Sequence, residues 1–138
     1  MSKHIYLRAY MAGVTVPSAV LVLVLACFCV VRFGYHFPLP IERAIVFPMA
    51  LVPPLWGLWN MLYVALRRHR HLPLGLHGAV VPLFLGPLGF ATARAFGIAI
   101  PRLVVTVFPF GVAVAMVGYY LVWKYLVGFL NELVEIRS

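Results

Sequence analysis

Four stretches of this chain, 9–31, 44–66, 72–93 and 103–123, contain no Asp, Glu, Lys or Arg. Each reaches the roughly 20 apolar residues that an α-helix needs to cross about 30 Å of hydrocarbon. The whole chain of 138 residues is 64% hydrophobic and 10% charged, against about 45–50% and about 25% in soluble domains. A chain this short exposes too much of its surface to hide the excess in a core. Disorder is excluded too, because it needs low hydrophobicity. The pattern therefore predicts an all-α, polytopic integral membrane protein, with one transmembrane domain over 1–138 and four helices in an up-down bundle.

The first stretch begins after Lys3 and Arg8, as a secretory signal does. Its apolar part exceeds a signal's roughly 7–15 residues, so a retained helix is expected. Basic residues set orientation. Lys3, Arg8, Arg67, Arg68, Arg70, Lys124 and Arg137 fall on one side, and Arg32, Arg43, Arg94 and Arg102 on the other. The first group predicts a cytoplasmic side holding both termini and the 67–71 link, in a plasma or bacterial inner membrane. That short link makes the second and third helices an antiparallel hairpin. After Lys124, Leu126, Val127, Leu130, Leu133 and Val134 keep a helical spacing, predicting an amphipathic extension of the last helix.

Eleven Lys and Arg face three acids, all Glu. The basic residues are spread between apolar runs and no nucleic-acid signature accompanies them, so nucleic acid is not an expected partner. Arg67, Arg68 and Arg70 read as contacts to anionic lipid headgroups. Arg94 and Arg102 read as snorkelling side chains at the opposite end.

In the second stretch Pro53, Trp56, Asn60, Tyr63 and Arg67 recur on one helical face. Asn60 is the single amide within the four stretches. A lone polar group in hydrocarbon points to protein or to a water-filled cavity. A hydrogen bond across a helix interface is the simpler expectation. Trp56, Asn60, Tyr63 and Arg67 together form the candidate ligand or interface face. Pro48, Pro53, Pro54, Pro82 and Pro87 are candidate helix breaks, since each lacks a backbone donor. Gly111, Ala115 and Gly118, with Ala93 and Gly97, would allow helices to approach closely. Tyr119, Tyr120 and Trp123 beside Lys124 fit an interfacial aromatic belt.

Chemistry is sparsely provided. General acid–base work needs positioned titratable pairs, whereas Glu42 lies in a loop and Glu132 and Glu135 in the tail. Ser18 and Thr15 have no base on their own helix, and no nucleophile or zinc motif occurs. No catalytic residue and no metal site are predicted. His69 and His71 stand among arginines that oppose a cation. Cys27 and Cys29 read as small buried hydrophobes. No cofactor is predicted either; haem or pigment ligation would rest on His77 alone. The expected function is that of a non-catalytic membrane subunit or scaffold, homo- or hetero-oligomeric, packed against partner proteins and lipid. The alternative is a homo-oligomeric channel or carrier for an anion or small neutral solute, using the proline-interrupted second and third helices.

Overall fold

A computed structural model describes residues 4–38, 41–67, 69 and 71–136, with side chains described except at 43, 44, 46 and 48. Among these residues the chain is all-helical, with no strand. Helix α1 covers Ile5–Cys29 and runs into a π turn, Val30–Gly34. Helices α2 (Ile41–Ala44) and α3 (Val52–Leu66) come next. Then come α4 (Leu74–Ala79) and α5 (Val81–Ala95), separated by Val80. Helix α6 covers Arg102–Val122, a second π turn Trp123–Val127, and α7 Gly128–Leu133. Three continuous runs, Ile5–Gly34, Leu74–Ala95 and Arg102–Leu133, are long and apolar enough to cross a membrane.

The second stretch is interrupted at one of its expected breaks, Pro48. Phe47 is extended (φ −139°, ψ 124°) and interrupts the path between α2 and α3. The cause is local, because a residue that precedes a proline, as Phe47 does, is disfavoured in the helical conformation. Helix α3 is left with 15 residues, short of the about 20 that a full crossing takes. Of the other candidate breaks, Pro53 and Pro54 lie in the first turn of α3, and Pro82 in the first turn of α5. At Pro53 and Pro54 a missing N–H leaves no bond unmade, so these two start a helix, whereas Pro82 follows directly on the interruption at Val80 and marks the break expected there. Pro87 sits inside α5 without interrupting it, as Pro17 and Pro109 do in α1 and α6.

Helix α5 stops at Gly97, whose φ of 63° is the left-handed conformation that glycine adopts freely. The Ile98 N–H then donates to the Ala93 carbonyl (2.8 Å) and the Gly97 N–H to that of Arg94 (3.1 Å), closing the end in the manner of a Schellman motif. Gly97 therefore terminates a helix and does not serve as a packing contact. Helix α7 closes in the same way, with Ile136 N–H donating to the Asn131 carbonyl at 2.7 Å and Ile136 buried. The residues divide into two compact units, Met1–Met61 and Leu62–Ser138.

Candidate functional site

Within the first unit α3 and α1 meet with almost no side chain between them. A Cβ on Gly13 would lie 2.6 Å from the Trp56 carbonyl oxygen and 3.0 Å from the Asn60 Cβ. A Cβ on Gly57 would lie 2.5 Å from the Tyr10 ring. This closeness lets Asn60 Nδ2 donate to the Ala9 carbonyl oxygen at 2.8 Å, fully buried. Polar groups without water must find protein partners, and a helix carbonyl has a second lone pair to offer. Trp56 is buried beside it. At the far end of α1, Arg32 Nη1 donates to Glu42 Oε1 at 2.7 Å, with Glu42 72% exposed.

Within the second unit the contacts are aromatic. The buried His77 ring stands 5.4 Å from Tyr63 and 5.9 Å from Trp123, the latter edge-on. Gly78 lies directly against Trp123, and a Cβ on Gly75 would come within 2.8 Å of the Tyr120 ring. These glycines let α4 and α6 pack closely. The small residues expected to do so, Gly111 and Gly118, have nothing within 4 Å of a Cβ position, so their side of α6 is open.

Beside this packing lies a cleft of about 890 Å³ at the end of α3, the start of α4 and the end of α6. Tyr63 borders it from α3, Arg67 from just beyond its end, and Gly75 from α4. Tyr120, Lys124 and Glu132 border it from the last helix. Lys124 Nζ lies 5.8 Å from the Tyr120 ring centroid and 5.2 Å from that of Tyr125, within reach of a cation–π attraction. Arg67 is half-buried. Among the described residues neither Arg67 nor Lys124 is paired with a carboxylate.

The π turn Trp123–Val127 builds this wall. It holds one residue more than an α turn, so the helix beyond it is rotated back by about 100°. On an unbroken α-helix Gly128 and Glu132 would drift away from the Tyr120 side. The π turn returns them to it, and both line the cleft.

The four residues of the predicted face thus have different surroundings. Trp56 and Asn60 are buried in the α1 contact, whereas Tyr63 and Arg67 open on the cleft. Arg68 and Arg70 lie outside the described residues. His71, Tyr125 and Glu132, not chosen from the sequence, line the same cleft. Thr15 donates its hydroxyl to the Met11 carbonyl of its own helix (2.7 Å). Cys27 and Cys29 are unbridged, and Cys27 is exposed, contrary to the expected buried thiol. Among the described residues no three His, Cys, Asp or Glu gather as metal ligands. Compared with family models, curated proteins and solved structures, the chain matches none.

Proposed function

We propose that the chain is a small, non-catalytic integral membrane subunit that packs against partner helices and lipid. The observation that carries this is α6, in which no residue is buried. Leu103, Phe110 and Val114 are 72%, 77% and 73% exposed. With Val107, Val117 and Leu121 they form a row at alternating three- and four-residue spacing, which keeps them on one side of the helix. In water so much contiguous apolar surface promotes association. Lipid tails and partner helices are the surroundings that suit it, and open small residues at Gly111 and Gly118 leave room for a partner backbone. On this reading the three long runs cross the bilayer and the kinked segment from Ile41 to Leu66 returns across it. Both termini and the 67–71 link then face the cytoplasm.

The test is native mass spectrometry of the complex extracted gently from its own membrane. A fixed stoichiometry with other polypeptides is expected. A mass built only from copies of this chain, together with solute flux in liposomes, would replace this reading by the channel or carrier. Orientation is checked separately with His69→Cys in a chain lacking Cys27 and Cys29. Labelling only from the cytoplasmic side is expected.

A further inference from the structure

We infer that the cleft bordered by Arg67 and Lys124 is a binding site for the phosphate of a lipid headgroup. The inference rests on the membrane reading above and assigns a ligand to one place on the chain.

Three features separate this site from a merely basic surface. First, the two cations come from different elements, the end of α3 and the π turn after α6, yet border one cavity of about 890 Å³. Second, neither is neutralised by a carboxylate among the described residues. Among the described residues Glu132 is the one acid on the wall, against Arg67 and Lys124. Third, the cations are held before any ligand arrives. Arg67 is half-buried, and Lys124 is flanked by the Tyr120 and Tyr125 rings at 5.8 and 5.2 Å. Side chains already restrained lose less freedom on binding.

The chemistry recognised is that of a phosphate oxyanion. The planar guanidinium of Arg67 offers paired donors that match two phosphate oxygens, while Lys124 supplies a compact charge. Tyr63 and Tyr120 on the same wall add hydroxyls able to donate to the remaining oxygens. Trp123 of the expected belt is fully buried, but Tyr120 and Tyr125 beside Lys124 are amphipathic side chains of the kind that gather where headgroups meet acyl chains, a depth that suits a lipid phosphate.

The experiment uses the full chain in detergent micelles, titrated with phosphatidylglycerol, with diacylglycerol of the same acyl chains, and with inorganic phosphate, and read by native mass spectrometry. We expect one phosphatidylglycerol per chain, retained at least tenfold more tightly than diacylglycerol. R67Q/K124Q should lower that retention at least tenfold without changing diacylglycerol. R67K/K124R, which keeps both charges, should restore most of it and so separate lost binding from lost folding. R94Q/R102Q, which removes two cations elsewhere, should leave retention unchanged. Inorganic phosphate bound as tightly as the lipid would assign the same site to free phosphate. Equal retention of lipid with and without phosphate would overturn the inference, as would equal losses from R94Q/R102Q and R67Q/K124Q. Alkaline carbonate washing keeps the two readings apart. A chain that washes off membranes refutes the membrane reading, whereas a chain that stays but shows no phosphate preference refutes only the site.

Discussion

Asn60 and Lys124 are both polar side chains on otherwise apolar helices, and their surroundings are opposite. Asn60 is sealed against the Ala9 carbonyl where Gly13 and Gly57 bring two backbones together. Lys124 is exposed between two tyrosine rings on the edge of a cleft. In the first region the polar group is spent on holding helices together, and nothing remains for a ligand. In the second, among the described residues, the charge has only ring faces for company, and its donors are open to something outside the chain. Polarity on an apolar helix therefore indicates function only once its partner is known.

The contrast is open to direct attack, most severely at the backbone contacts. Gly13→Ala sets a methyl against the Trp56 carbonyl, which cannot swing aside, and Gly78→Ala sets one against the buried Trp123. Each should cost about 2–3 kcal/mol, measured by thermal or denaturant unfolding in detergent. Gly118→Ala, with open space around it, should raise stability by up to about 1 kcal/mol, since alanine favours helix. A similar gain at all three positions would mean that the glycines act through helix propensity and not through contact.

Asn60→Leu should cost about 0.6–2 kcal/mol, the range of hydrogen bonds between membrane helices. It should leave headgroup retention at the cleft untouched. Gly75→Ala presses on the Tyr120 ring, which sits at the cleft edge and is able to turn. A cost of about 1 kcal/mol is expected, with weakened phosphatidylglycerol retention as the larger effect. The two substitutions should thus move stability and binding in opposite proportion. The smallest effect belongs to Glu42→Gln. Its ion pair with Arg32 is exposed, so about 0.5 kcal/mol or less is at stake. A double-mutant cycle with Arg32→Gln, repeated at high salt, should show that remainder fading.

Much of the helical layout was legible because an uncharged run of sufficient length has few alternatives. Asn60 was legible as well, since an isolated amide on an apolar face needs a protein partner. The interruption beside Pro48 was legible as a candidate break, but that it falls on Phe47 was not, because the pre-proline restriction acts on one residue and leaves the hydropathy of the stretch unaltered. The prolines at 53 and 54 resemble Pro48 in composition and differ only in where the helix begins. The cleft was half legible: Tyr63 and Arg67 follow from helical spacing, but Tyr125 and Glu132 do not. Their placement depends on the π turn, whose first residue, Trp123, is buried beside Gly78 and His77. That is a tertiary circumstance invisible to local periodicity.

The π turn also makes the cleft wall a matter of reading frame. Deleting one apolar residue between 123 and 127 would turn it into an ordinary helical turn and leave the facing of everything beyond unchanged, because the lost residue is the one the π turn holds in excess. Gly128 and Glu132 would stay on the wall. Relaxing the π turn to α-helix at unchanged length would instead swing everything beyond by about 100° and take Gly128 and Glu132 off it. Two such conformers would share every residue, and would differ in the surface they present to a headgroup.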